Sequence, residues 1–266
     1  MDGFVSLVGA GPGDPELLTL KALRRLQTAD VVVYDALVND ALLGYCRADA
    51  ELIYVGKRAS RHTMPQAQIN ALLIERALCG RQVVRLKGGD PFIFGRGGEE
   101  AEALVAAGVA WEVVPGISSA VAAPAYAGIP LTHRALSSSC LIMSGHAAND
   151  AARPINWGLA QSADTLVILM GVEQIATIAA ELIAHGRSPA TPVALVRWGS
   201  TSRQETLAGT LATIAAQVAA AEFQAPAVIV VGEVVGLAPA LGWFDPAASE
   251  RLEPAGSLVL RQALDV

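Results

Sequence analysis

"QVVRLKGGDPFIFGRGGEEAEALVAAG", residues 82–108, decides how the chain is read. Residues 82–89 form a strand-like apolar run, residues 98–108 carry apolar side chains at helical spacing, and glycines fill the turn between. A strand that passes into a helix through glycine-rich backbone is the repeating unit of α/β proteins. This turn also holds Phe92, Ile93 and Phe94, between an aspartate and a glutamate pair. Three bulky apolar residues cannot all be core there, and so many glycines are tolerated only where backbone comes close to something. The stretch is either an awkward loop or the wall of a binding site.

The same rhythm runs outward from it. Strands are expected at 4–10, 30–35, 50–56 and 109–116, and helices at 15–29, 65–80 and 118–128. Pro15 opens one helix at a position where a missing N–H costs nothing, Gly80 closes another, and serine caps the last. At "IPLTHRALSSS" (129–139) the period is lost, and a domain boundary is placed there. Further strands are expected near 140–145, 165–171, 192–198 and 225–235, with helices at 172–185 and 209–222. The fold class is α/β: one α/β domain over residues 1–130, a second over 131–244, and an irregular tail over 245–266.

Composition narrows the function. With 53% hydrophobic and 17% charged residues the 266-residue chain is globular, and its net charge of -6 argues against a general binder of nucleic acid or anionic membrane. The cations gather in "GKRASRH" (56–62), Lys87, Arg96 and "THR" (132–134), which suits a small acidic ligand. Three dispersed cysteines and four dispersed histidines give no metal-ligand spacing, so no metal is expected, and a reducing, cytoplasmic location is. The N-terminus has no basic leader. Residues 227–244 come nearest to a membrane span, but Glu233, Gly236 and Pro239 within them favour a buried strand and a turn.

"VGAGPGDPELLTLKA" (8–22) sits where a nucleotide-binding loop would be expected, at a strand end before a helix. Asp14 occupies the place of the third glycine in the dinucleotide pattern, and an aspartate at a helix start repels a pyrophosphate. The loop favours close backbone approach to a ligand without an anionic bridge, though a plain tight turn has the same sequence. Asp30 and Asp35 flank the next strand, where each is either a ribose ligand or a strand cap.

As an ordered set, "VGAGPGDPELLTLKA", "VVYD", "VGKR", "RLKGGDPFIFGRGGEE", "VVPGISSA" and "AGIPLTHR" resemble the tetrapyrrole (precorrin) methyltransferase family, over about residues 3–244. The full "KGGDPFIFGRGGEE" with "GIPLTHR" is most similar to the members that act on uroporphyrinogen III. The resemblance implies a dimer of two-domain chains with S-adenosylmethionine between the domains. It implies two successive methylations, at C2 and C7, giving precorrin-2 for sirohaem or cobalamin. Gly88, Gly89, Asp90 and Ile93 match the cofactor-binding segment, and Pro12, Ser118, Ser119, Met170, Gly199 and Ala227 match further cofactor contacts. Each also has an ordinary reading, such as core for Met170, helix cap for Ser118 and turn for Gly199.

The same matching makes Asp35 the proton acceptor and Lys57 the donor, unless Asp35 merely pairs with a nearby cation. The implied substrate carries eight carboxylates, which call for guanidinium and ammonium groups. Arg58, Arg61, His62 and Lys87, with Arg96, His133 and Arg134, are the cations nearest the motifs. Some relatives carry a preceding domain that uses NAD and inserts iron; with the motifs beginning at residue 8, this chain is expected to stop at precorrin-2. The alternatives are a methyltransferase for a later precorrin, an NAD-dependent oxidoreductase, and a non-catalytic sensor of S-adenosylmethionine.

Overall fold

In strand β1 (Phe4–Gly9) Val5 and Leu7 face one side of a sheet while Val8 faces the other, and both sides are covered. The computed structural model describes residues 3–56, 64–146 and 155–249. The chain divides into two units, Met1–Ser119 and Ala120–Val266.

The first unit is a five-stranded parallel sheet in the order β3-β2-β4-β1-β5, with β2 at Val31–Tyr34, β3 at Glu51–Tyr54, β4 at Gln82–Lys87 and β5 at Ala110–Val114. Helix α1 (Leu20–Thr28) lays Ala22 and Leu26 on Val8, Val32, Val84 and Val114. Helices α2 (Gln66–Leu78) and α3 (Gly97–Ala106) lay Ile69, Leu73 and Leu104 on Val5, Leu7, Val33 and Val83. Covering both faces is what a parallel sheet requires. Each fully buried Leu contributes roughly 1.5–3 kcal/mol.

Two expected elements differ in detail. The helix expected at 15–29 is a 3-10 turn, Pro15–Leu17, followed by α1, because Asp14 and Thr19 each cap a helix start and so divide the segment. The expected boundary after residue 130 lies instead after Ser119. Helix α4 (Ser119–Tyr126) and the following turn place Ala120, Ala123 and Ile129 in the second unit's core, against Val167, Ala194 and Val230.

The second unit holds a mixed sheet in the order β6-β7-β10-β8-β9. Its strands are β6 (Cys140–Ser144), β7 (Thr165–Leu169), β8 (Pro192–Arg197), β9 (Glu205–Thr210) and β10 (Ala227–Val231). Only β6 and β7 run parallel; β10 lies antiparallel between β7 and β8. Helices α5 (Trp157–Ser162), α6 (Ile175–Ala184) and α7 (Ile214–Ala220) cover one face through Ala160, Ile178, Leu182 and Ile214. Strand β9 takes the start of the helix expected at 209–222. It is an edge strand from which only Leu207 packs on the core, so it carries almost no apolar signal. Trp243 and Phe244 stack on Tyr126 at 4.9 and 4.8 Å between ring centroids, and Trp243 Nε1 donates to the Ala125 carbonyl. Of the expected tail, residues 250–266 lie outside the described residues.

Candidate functional site

The connections leaving β1 and β4 go to opposite sides of the first sheet, since β1 leads to β2 and β4 leads to β5. Ligands of open α/β sheets bind at such a switch point, beyond the carboxyl ends of the strands. Here that position is built from glycine. Gly11 and Gly89 exchange backbone hydrogen bonds, Gly89 N donating at 2.7 Å and Gly11 N at 3.2 Å. A Cβ on Gly9 would lie 2.5 Å from Gly116 Cα, and one on Gly116 would lie 2.3 Å from the Gly89 oxygen. Glycines 9 and 116 thus let three strand ends touch backbone to backbone. Gly89 is demanded by conformation, at φ +68, since a Cβ there would meet nothing nearer than 3.7 Å.

Asp90 stitches this cradle together. Its Oδ1 accepts from Phe92 N at 2.8 Å and its Oδ2 from Gly116 N at 3.0 Å, joining the loop after β4 to the loop after β5. Gly88 faces Leu37, whose Cβ would be 2.7 Å from an added Cβ. Asn39 Nδ2 donates to the Gly13 carbonyl at 2.8 Å and holds the first glycine loop beside Pro12. Phe92, Ile93 and Phe94 are 50%, 40% and 45% exposed, so the apolar residues of the turn face outward. Phe94 and Arg96 have left-handed backbone, at φ 52 and 59. Ser118 and Ser119 follow Gly116 and lie against Gly89.

Asp14 Oδ1 accepts from Glu16 N at 2.9 Å. That donor at the turn's N-terminus is taken by a carboxylate, whose charge disfavours a pyrophosphate beside it. Asp30 is a strand cap: it accepts from Gln82 N at 2.8 Å and pairs with Arg47, at the amino end of the sheet.

Asp35, at the carboxyl end of β2, accepts from Leu37 N at 3.2 Å and from Arg85 Nη2 at 3.4 Å. Both readings of this residue meet here, because its side chain is partly exposed and paired with a cation. Lys87, expected among the substrate-facing cations, is instead buried, with Nζ donating to Glu100 at 2.9 Å. Val83, Arg85 and Lys87 share the face of β4 covered by α3, so two cations lie in an apolar row and Glu100 answers them. Burial, and next to it Arg85, lowers the Lys87 pKa, against which Glu100 acts in part. Glu100 and Arg85 were not singled out from sequence; a charge at an inward strand position would have been the signal.

Arg96 is exposed and pairs with Glu99 at 2.6 Å. His133 and Arg134 are exposed in a turn closed by the His133–Ser137 bridge. Lys57, Arg58, Arg61 and His62 lie outside the described residues.

The remaining three expected contacts come together in the second unit. Met170 follows β7, Gly199 follows β8 and Ala227 opens the antiparallel β10 between them, so all three stand at one end of the sheet. Met170 is no core residue, being 47% exposed with φ 56. Gly199 is more than a turn: a Cβ on it would lie 2.5 Å from Ala123 Cβ. Among the described residues, no group of three His, Cys, Asp or Glu is placed to hold a metal, and no helix is long and apolar enough to cross a membrane.

The cradle of glycine backbone at the switch point, with outward apolar side chains and a capped turn start, defines an α/β protein of the open parallel-sheet class. Residues 5–215 match the family of tetrapyrrole (corrin/porphyrin) methylases, and the chain belongs to that family. It is 52% identical over 234 residues to a uroporphyrinogen-III C-methyltransferase of Priestia megaterium, covering 88% of this chain and 98% of that one. It is 53% identical over 243 residues to a siroheme synthase of Methylococcus capsulatus, covering 91% of this chain and 51% of that one. The chain therefore spans about half the length of the siroheme synthases it matches. Its fold is similar to that of a Thermus thermophilus uroporphyrin-III C-methyltransferase solved with S-adenosylhomocysteine, with TM-score 0.76, 42% identity, and coverage of 88% and 100%.

Proposed function

We propose that the chain is an S-adenosylmethionine-dependent C-methyltransferase that converts uroporphyrinogen III to precorrin-2 by two successive methylations. The observation that carries this is the likeness to the Priestia megaterium methyltransferase over 98% of that protein's length. The relatives that are siroheme synthases support the same reading, and methylation alone is proposed for this chain.

S-adenosylmethionine supplies a methyl group on a cationic sulfur. The residues present fit it: side-chain-free backbone at Gly88 and Gly89, the exposed apolar Ile93, and a turn start already capped by Asp14 suit a nucleoside that carries no phosphate. Pro12, Gly88, Gly89, Asp90, Ile93, Ser118 and Ser119 are its proposed contacts, and the resemblance adds Met170, Gly199 and Ala227. Transfer to an electron-rich pyrrole carbon asks the protein chiefly for positioning and exclusion of water. Asp35 takes the proton that leaves the macrocycle, and Lys57 returns one. Arg96, His133 and Arg134, with Arg58, Arg61 and His62, bind substrate carboxylates. Lys87 is not among them, since its ammonium is committed to Glu100. A cytoplasmic homodimer is proposed from the resemblance, and the free cysteines Cys46, Cys79 and Cys140 suit a reducing compartment.

The test is replacement of the base. Asp35→Asn is expected to leave the affinity for S-adenosylhomocysteine within about twofold while lowering turnover by about 10²-fold or more. Loss of cofactor affinity in that variant would take Asp35 out of this role.

A further inference from the structure

Arg85 lies 4% exposed between Val83 and the buried Lys87 on the face of β4 that α3 covers, with every nitrogen of its fork engaged. Nε donates to Glu100 Oε1 at 3.0 Å, Nη1 to the carbonyls of Val33 and Leu86 at 3.3 and 3.2 Å, and Nη2 to Asp35 Oδ2 at 3.4 Å. Glu100 is fully buried, and its Oε1 also takes Lys87 and Gln66, at 2.9 and 3.2 Å. Helices α2 and α3 thus grip one end of the guanidinium, and its other end reaches the partly exposed carboxylate at the edge of β2.

Stability alone does not call for such an arrangement. Replacing a buried ion pair with well-packed apolar side chains is often neutral or stabilising. The same row continues into Val83, which is plain core. What the charges add is a rigid path from the interior to Asp35. We infer that Arg85, anchored by Glu100, is the positioning residue that fixes the Asp35 carboxylate for proton transfer; this rests on Asp35 being the base proposed above. Among the described residues, the groups facing Asp35 are Arg85 and Lys87 on β4, with Glu100 of α3 behind them. Arg85 acts through Asp35 and touches neither substrate nor methyl donor.

A double-mutant cycle on the full chain tests this, using Arg85→Met, Asp35→Asn and their combination. Arg85→Met leaves Glu100 paired with Lys87, so the buried carboxylate keeps a counter-charge. Calorimetry with S-adenosylhomocysteine and turnover of uroporphyrinogen III are measured on each. Arg85→Met is expected to keep cofactor affinity and KM within about threefold and to lose roughly 10²-fold in kcat, the cost of a misplaced reacting group. In the Asp35→Asn background it is expected to lose nothing further. Losses that multiply, or wild-type kcat in Arg85→Met, overturn the inference and leave the base in place. Wild-type turnover by Asp35→Asn removes base and positioning residue together, and a wild-type chain that transfers no methyl group removes the function as well. If Arg85→Met does not fold, Arg85→Lys gives the same cycle, since it keeps the charge and loses the fork.

Discussion

A Cβ added to Gly116 would lie 2.3 Å from the Gly89 oxygen and 2.7 Å from Gly9 Cα, so no side chain fits without moving backbone. Gly98, in the first turn of α3, has nothing within 4 Å of its added Cβ. The two glycines of one sequence neighbourhood therefore differ in kind. Gly116→Ala is expected to cost about 1–3 kcal/mol, the range for overpacking, and to weaken S-adenosylhomocysteine about tenfold or more as the cradle opens. Gly98→Ala should gain up to ~1 kcal/mol from helix propensity and leave binding unchanged. Thermal melts and calorimetry on both variants decide it, and equal behaviour would contradict the cradle. Gly89 is a third case, since any L-residue at its φ of +68 pays about 1–2 kcal/mol whatever the space.

Helix α1 is tied to β5 through Glu112, which receives Ser6 Oγ at 3.1 Å, Lys21 Nζ at 2.6 Å and Arg25 Nε. Partial burial pushes the Glu112 carboxyl up, but the hydrogen bonds from Arg25, Lys21 and Ser6 outweigh it and bring the pKa from 4.5 to about 2. A carboxylate with a depressed pKa stabilises the fold fully above its unfolded value, and that contribution fades as pH falls from about 4.5 toward 2. Glu112→Gln should therefore be less stable than the parent at pH 7, with the gap closing across that window in urea titrations. A gap that stays constant with pH would contradict the account. At this scale the sequence was legible where a hydrophobic period was strong. Among the described residues nine of the ten strands coincide with apolar runs, and Gly80 closes α2 with φ +78, as its position implies. Strand β9 was illegible because an exposed edge strand needs no apolar face, and α1 was overextended because apolar residues keep helical spacing from Pro15 onward while the cap at Thr19 carries no apolar signal.

The whole molecule sets apart what chemistry and what motif matching contributed. The composition of the glycine turn at 88–97 allowed either an awkward loop or a wall, and the structure places its apolar residues outward. Met170, Gly199 and Ala227 are far apart in sequence, and only the resemblance linked them before β7, β8 and β10 brought them to one sheet end. Arg85 and Glu100 escaped, and Lys87 was read as facing substrate, because hydrophobic periodicity scores a buried ion pair like any exposed charge. The same architecture carries a prediction about cofactor class. With Asp14 capping the turn, a fluorescence titration with NADH should show no saturable binding, while S-adenosylhomocysteine binds; tight NADH binding would return the chain to the oxidoreductase reading. The central claim meets its most direct test in anaerobic incubation of the chain with uroporphyrinogen III and S-adenosylmethionine, followed by mass spectrometry of the tetrapyrrole. A gain of two methyl groups is the predicted result. An unmethylated tetrapyrrole, with the cofactor demonstrably bound, would contradict it.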